Sequence, residues 1–214
     1  APNVVPDFAE VYYYARHDQR DVVIGIFDRI VNTARGAALG TGTTMDFEMI
    51  GGTHELLPND VLQELMHKSL SQVGGFDYTT KESEFAKSIA ETLGKPLNMA
   101  FVNGVEPYDP NALPMGSTDV GDVSFTVPTA GMGAATWVPG TPAHSWQAVA
   151  AGGTSIGNKG MLVAAKTLAL TAFKLLDNPK IMEDAHAEFL EKRGVDFKYI
   201  PLLGDRSPAL DYRN

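Results

Sequence analysis

The first 53 residues carry a strand–helix–strand pattern, and this pattern limits what the chain can fold into. β-forming residues dominate positions 8–14, which predicts a first strand. An apolar stripe predicts a helix over 20–39, and alternation of apolar and polar residues predicts a second strand over 43–50. Two strands and one helix bury too little surface to be stable alone. We therefore expect further strands or another surface to cover this segment.

The remainder of the chain is predicted to be mostly helical, with one short buried strand over 134–138. The predicted helices each have an apolar face or a capping residue, and they cover 59–73, 83–93, 156–176 and 179–193. The longest of them, 156–176, is apolar over a broad face that includes Leu168, so we expect that face to pack in a core. The opening strand–helix–strand pattern corresponds to half of a split βαβ sandwich.

Composition excludes several classes of function. The 214 residues include no cysteine, which rules out disulfides, thiolate metal sites and a cysteine nucleophile. The net charge of −9 argues against nucleic acid as a partner, since nucleic-acid binding needs a basic face. No apolar run is long enough for a membrane helix and no signal peptide is visible at the start of the sequence, so we expect a cytoplasmic protein that does not bind membranes.

Two carboxylates lie in a turn of small residues over 116–122. Asp119 and Asp122 are flanked there by glycine, Ser117 and Thr118, and small residues let the backbone approach a ligand closely. The turn could orient a metal ligand or bind a cation. Its carboxylates could equally serve as turn and helix-capping groups, which is their ordinary use.

A second candidate is His144, which lies in a loop bounded by glycine and proline and followed by Trp146. A histidine in such a loop can be a metal ligand, a general base or a surface residue. Ser117, Asp119 and His144 have the residue types of a nucleophilic triad, but no Gly-x-Ser-x-Gly motif surrounds the serine.

Three other features are open to a functional interpretation. The glycine-rich stretch 152–160 opens a helix but departs from the phosphate-loop motif, so a tight helix start is favoured over nucleotide binding. Asn3 and Arg16 are the remaining polar candidates. Arg16 follows the first predicted strand, where a guanidinium can bind a carboxylate through two hydrogen bonds.

Four segments of the chain together resemble a known family, and their order and spacing cover nearly the whole sequence. They are residues 3–6 with 13–16, 56–59, 115–124, and 135–147. The sequence resembles the C-terminal half of the dinuclear metallo-amidohydrolases, which include carboxypeptidase G-type enzymes, aminoacylases and acetylornithine deacetylase. Within that family it is most similar to the branch of the aminobenzoyl-glutamate utilisation proteins.

The resemblance implies a domain organisation and an assembly. Residues 1–53 would be the C-terminal part of a ferredoxin-like α+β lid that mediates homodimerisation. Residues 54–214 would be the C-terminal part of a metal-dependent α/β catalytic domain. The non-catalytic alternative is an interaction or assembly module that keeps this fold without the metal site.

The resemblance also implies a reaction and roles for individual residues. The reaction would be hydrolysis of an amide in an N-acyl or aminobenzoyl amino acid, assisted by two divalent ions, zinc or manganese. His144 would ligate one ion, and Asn3 and Arg16 would bind a small amide substrate that carries a carboxylate. The turn residues Ser117, Thr118, Asp119 and Asp122 would support the site.

The family's general-base glutamate and most of its metal ligands belong to an N-terminal half that has no counterpart in this sequence. A zinc site needs about three protein ligands, and the resemblance identifies one here. We therefore expect the chain alone to be inactive and to bind no metal stably.

Overall fold

The computed structural model describes residues 3–112, 116–207 and 210. Within these ranges the regular secondary structure is helical, and turns and extended segments connect the helices. In chain order the helices are α1 (Arg20–Thr41), α2 (Asp60–Val73), α3 (Thr80–Leu93), α4 (Ala100–Asn103), α5 (Val120–Ser124), α6 (Trp146–Gly152), α7 (Ser155–Asp177) and α8 (Pro179–Arg193).

The chain forms two compact units. The first unit comprises Ala1–Leu56, Thr118–Asp122 and Lys198–Asn214, and the second comprises Leu57–Ser117 and Val123–Phe197, as far as the described ranges reach. The chain therefore passes from one unit to the other at four places.

Helix α1 is the main element of the first unit, and its predicted position is confirmed. It ends at Gly42, whose φ of 70° is in the left-handed region that glycine adopts without strain. The residue type of Asp18 favours it as the cap, but the N-cap residue is Gln19, whose side chain makes no capping bond. Instead, the backbone N–H of Arg20 donates to the Glu55 carboxylate at 3.3 Å.

The predicted strands over 8–14 and 43–50 are not formed, so the described residues do not match the predicted α/β class. Both segments are irregular, and no strand occurs in 3–112, 116–207 or 210. Phe8, Val11 and Tyr14 are each at least 74% exposed. A strand forms only where a neighbouring strand pairs with its backbone N–H and C=O groups. The local sequence pattern does not provide that neighbour.

The predicted strand over 134–138 is wrong as well. The backbone N–H of Thr136 bonds the Ala134 carbonyl at 2.9 Å, which closes a tight turn and prevents an extended ladder. Val138 is nevertheless buried, as the apolar pattern predicted.

The core of the second unit lies where α3, α6 and α7 meet the segment that precedes α6. Its fully buried residues are all small or aliphatic: Ala86, Ile89, Val138, Ala151 and Ile156. Partly buried aromatic and aliphatic side chains, including Tyr78 and Phe85, pack around them. Helices α2 and α8 both pack against α7.

Local capping signals set the ends of the helices in this unit. The Asn59 side chain accepts from the Leu62 N–H at 3.1 Å and donates to the Ala185 carbonyl at 2.8 Å. It therefore caps α2 and also ties that helix to α8. Thr79 and Glu82 form a reciprocal capping box at α3, and Pro179 occupies the first position of α8.

Helix α7 presents a different face to the core from the one predicted. Leu168 is 53% exposed, whereas Thr167 and Thr171 are buried. The exposed apolar side chains of this helix form a stripe that consists of Met161, Leu162, Leu168, Phe173 and Leu176. Among the described residues, no helix is long and apolar enough to span a membrane.

Small residues explain why the face of α7 that carries Thr167 and Thr171 points inward. A Cβ added to Gly160 would overlap the Ala135 carbonyl oxygen, so the helix backbone lies directly against that segment. The Thr171 hydroxyl donates to the Thr167 carbonyl at 2.8 Å, which satisfies the hydroxyl inside the helix. The inward face of α7 therefore combines close backbone packing at Gly160 with threonine hydroxyls that are satisfied within the helix.

Candidate functional site

His144 occupies a strained position directly before α6. Its φ is 58°, and it has the one positive φ of a residue other than glycine in the described ranges. The left-handed region is unfavourable for a residue with a Cβ, by about 1–2 kcal/mol. Its side chain is exposed. Strain of this kind is concentrated at functional sites and motivates a hypothesis of function for His144.

The neighbours of His144 hold this conformation. Ser145 is the N-cap of α6: its hydroxyl accepts from the Ala148 N–H at 3.2 Å and donates to the Pro142 carbonyl at 2.7 Å. Gln147, in the first turn of α6, donates from its side chain to the Thr92 hydroxyl of α3 at 3.3 Å. The loop that carries the imidazole is thus attached to a helix whose start is fixed in the second unit.

The acidic turn, residues 116–122, includes the first three residues of α5. The Val120 N–H donates to the Thr118 hydroxyl at 3.2 Å, and the Asp122 N–H donates to the Asp119 carbonyl at 3.1 Å. Ser117, Thr118 and Asp119 are exposed, so their polar groups are accessible to solvent. Met115, which begins this motif in the sequence, lies outside the described residues.

Asp122 differs from Asp119 because two side chains of the first unit hold its carboxylate. Its Oδ1 lies 2.7 Å from His54 Nδ1 and 2.8 Å from the Tyr199 hydroxyl. The two rings stack with centroids 5.0 Å apart. The hydrogen bond to Asp122, aided by burial, raises the pKa of Tyr199 above its ordinary value.

The sequence pattern around His54 indicates a turn and no particular role, whereas the structure shows that this residue is buried, with 4% of its surface exposed. His54 and Asp122 are 68 positions apart, so no local spacing pattern could have paired them.

Asn3 and Arg16 lie in the first unit and are both exposed. The Arg16 guanidinium carbon lies 5.7 Å from the centroid of the Tyr14 ring, which is within the range of a cation–π contact. His144 and Ser117 belong to the second unit, and Thr118, Asp119 and Asp122 belong to the first. The structure therefore brings Asp122 together with His54 and Tyr199. The binding and metal-ligand roles of the other candidate residues stay predictions.

No group of three or more histidine, aspartate or glutamate side chains able to hold a metal ion occurs in the described part of the chain. His144 can serve as one ligand, because its imidazole is accessible and its backbone is fixed.

The glycine-rich stretch 152–160 includes the start of α7, and its contacts are made within the protein. A Cβ on Gly157 would overlap the Gly152 carbonyl oxygen, which accounts for the glycine there. The Glu82 carboxylate accepts hydrogen bonds from Lys159 Nζ and the Ser155 hydroxyl, each at 2.6 Å. Lys159 is therefore held by an internal carboxylate. The Thr-x-x-Glu spacing of Thr79 and Glu82 is the sequence signal of the capping box at α3, but it does not indicate the contacts of Glu82 with Lys159 and Ser155.

Comparison with known proteins gives relatives that are hydrolases. The chain is 34% identical to a p-aminobenzoyl-glutamate hydrolase subunit of Escherichia coli (strain K12) over 235 positions, which cover 98% of this chain and 49% of that protein. It is 30% identical to Xaa-Arg dipeptidase of Mus musculus and 26% identical to that of Homo sapiens. Each dipeptidase match covers 88% of this chain and 37% of the dipeptidase.

The chain belongs to the carboxypeptidase G-type amidohydrolase and peptidase family. It corresponds to the C-terminal part of such proteins and spans about half the length of the E. coli relative. The resemblance of its motifs to this family is therefore confirmed. No family model matches the sequence. No solved structure matches it either.

Proposed function

We propose that this chain supplies part of the active site of a metal-dependent amidohydrolase that cleaves an amide bond next to a carboxylate-bearing amino acid. The observation that carries the proposal is the 34% identity to the E. coli p-aminobenzoyl-glutamate hydrolase subunit across 98% of the chain. The dipeptidase relatives support the same chemistry, because a peptide bond is also an amide. A substrate of the p-aminobenzoyl-glutamate type follows from the name of the E. coli relative.

His144 is the residue of this chain that would hold a metal ion. Two divalent ions, zinc or manganese, would supply Lewis-acid activation of the amide carbonyl and of water when bound. Neutral imidazole suits either metal, and the backbone of His144 is fixed by the capped start of α6. A single protein ligand does not retain two metal ions. The remaining ligands and the general-base glutamate would therefore come from the part of the relatives that this chain does not cover.

The first unit would recognise the carboxylate of the substrate. The exposed guanidinium of Arg16 can bind a carboxylate through two parallel hydrogen bonds, and the exposed amide of Asn3 can bind a carbonyl. Homodimerisation through this unit would follow the family's organisation.

A complementation assay tests the proposal. The 214-residue chain is co-expressed with the part of the E. coli relative that the match leaves uncovered, and hydrolysis of p-aminobenzoyl-glutamate is measured with zinc or manganese. We expect no turnover by the chain alone and metal-dependent turnover by the pair. Turnover by the chain alone in the presence of a chelator would refute the proposal.

A matched pair of histidine variants tests the role of His144. His144→Ala should abolish most of the turnover of the complemented pair, at least about 100-fold, because it removes a metal ligand. His186→Ala removes an exposed histidine of α8 and should leave turnover unchanged. Circular dichroism should show equal helix content for both, and equal turnover by both would remove His144 from the site.

A second candidate function is assembly without catalysis, and the exposed apolar stripe of α7 favours it. That stripe contains Leu168 and Phe173, both more than half exposed, on the longest helix of the described chain. Surfaces of this kind mark protein–protein contacts. A complex that forms in the complementation experiment but shows no hydrolysis with any tested metal would favour this function over the enzymatic one.

A further inference from the structure

The end of the acidic turn is fixed by both the backbone and the side chain of His54. Gly121 is buried, and a Cβ added to it would overlap the His54 carbonyl oxygen, so the two backbones are in direct contact. One residue later, the Asp122 carboxylate bonds the His54 ring at 2.7 Å. An ionised carboxylate only accepts hydrogen bonds, so the tautomer of His54 with its proton on Nδ1 is the one that donates in this contact.

Tyr199 holds the same carboxylate oxygen from a third segment of the chain. Its hydroxyl lies 2.8 Å from Asp122 Oδ1, and its ring stacks on His54 at an interplanar angle of 29°. The His54 side chain is 1% exposed, so its imidazole is shielded from water. Charge-assisted hydrogen bonds in such a setting are stronger than those between neutral groups.

The three residues also lie close to the places where the chain leaves the first unit. His54 is two positions before the first unit's segment ends at Leu56, Asp122 is the last residue of Thr118–Asp122, and Tyr199 is the second residue of Lys198–Asn214. The cluster thus joins three segments of the first unit near their ends, and one of them is the acidic turn.

We propose that His54 and Tyr199 are positioning residues that set the conformation of the acidic turn through the Asp122 carboxylate. His54 acts through its ring N–H and Tyr199 through its hydroxyl. The importance of the turn for catalysis rests on the proposed function, whereas the positioning itself is measurable in the chain without any hydrolysis assay.

Hydrogen exchange of two turn amides provides the first test. The amides of Val120 and Asp122 are both hydrogen-bonded within the turn, and their exchange is measured by NMR on the full 214-residue chain. His54→Phe keeps a buried ring against Tyr199 but removes the N–H donor, and we expect exchange of these amides to accelerate about tenfold. His54→Asn places an amide donor near the position of Nδ1 and should restore exchange to within about threefold of wild type.

A tyrosine pair provides the matched control. Tyr199→Phe removes a hydroxyl that bonds Asp122, and it should accelerate the same two amides about threefold or more. Tyr78→Phe removes a buried hydroxyl of the second unit that has no hydrogen-bond partner in the described residues, so it should leave the turn amides unchanged. The amide of Leu62, which is capped by Asn59, serves as an internal reference in every variant.

Two results would overturn the proposal. In the first, the turn amides exchange at the wild-type rate in both His54→Phe and Tyr199→Phe. In the second, the turn amides and the Leu62 amide accelerate by the same factor, which would mean that the cluster contributes only to general stability. If His54→Phe does not fold, the comparison of Tyr199→Phe with Tyr78→Phe decides the question.

Discussion

Replacing Glu82 with glutamine should weaken the second unit in a pH-dependent manner. The Glu82 side chain is 8% exposed, and its carboxylate accepts hydrogen bonds from Lys159, Ser155 and the backbone N–H of Thr79. These donors, led by Lys159, lower the pKa of Glu82 from its ordinary 4.5 to about 2. The ionised form is therefore strongly preferred in the folded chain.

The size of the effect follows from the two pKa values of Glu82. The difference between 4.5 and about 2 corresponds to a contribution of about 3 kcal/mol to the free energy of unfolding. Because the folded pKa is the lower one, this contribution is fully present above pH 4.5. It is lost as the pH falls from about 4.5 through about 2. Wild type and Glu82→Gln should thus differ by about 2–3 kcal/mol at pH 7 and should converge near pH 2.

Urea denaturation followed by tryptophan fluorescence is the appropriate assay. Trp137 and Trp146 are the two tryptophans of the sequence, and both belong to the second unit, so their emission reports on its unfolding. Glu84→Gln is the control, since Glu84 is an exposed residue of the same helix. A gap between wild type and Glu82→Gln that stays constant from pH 7 to pH 3 would contradict the linkage argument.

Two further predictions concern packing. Leu168→Ala should lower the free energy of unfolding by less than about 1 kcal/mol because Leu168 is half exposed, whereas Ile156→Ala should lower it by about 2–5 kcal/mol because Ile156 is fully buried. Equal losses for the two variants in urea denaturation would contradict this orientation of α7. Gly160→Ala should lower the melting temperature because its Cβ would overlap the Ala135 carbonyl, whereas Gly36→Ala, in an open part of α1, should raise the free energy of unfolding by about 0.5–1 kcal/mol. A melting temperature for Gly160→Ala at or above that of wild type would show that the backbone contact is absent.

Helices α1, α2, α7 and α8 could be predicted because their signals are local, whereas α3 begins three residues before its predicted start and the short helices α4, α5 and α6 were not predicted. Gly42 ends α1, Asn59 caps α2, and Pro179 begins α8, each through contacts within a few residues along the chain. The loop that carries His144 is predictable for the same reason, since glycine and proline surround it. Its left-handed conformation is not, because nothing in the residue type of His144 requires a positive φ.

Elements whose definition depends on a distant partner could not be predicted from the sequence. The segments 8–14 and 43–50 have the composition of strands, but a strand also needs a neighbour, and composition does not say where that neighbour is. Hydrophobicity predicts that Leu168 is buried, and the structure reverses this because small residues let the opposite face of α7 approach its neighbours more closely.

The sequence by itself determined several helix ends, such as the end of α1 at Gly42 and the start of α8 at Pro179, and it carried the motifs by which the chain belongs to its family. Only the tertiary structure decided that His54 is buried against Asp122 and Tyr199, and that Glu82 holds Lys159. The physical reason is the range of the interactions. Capping bonds form between residues a few positions apart, whereas these polar clusters join side chains 68 to 77 positions apart, which meet only when the chain folds.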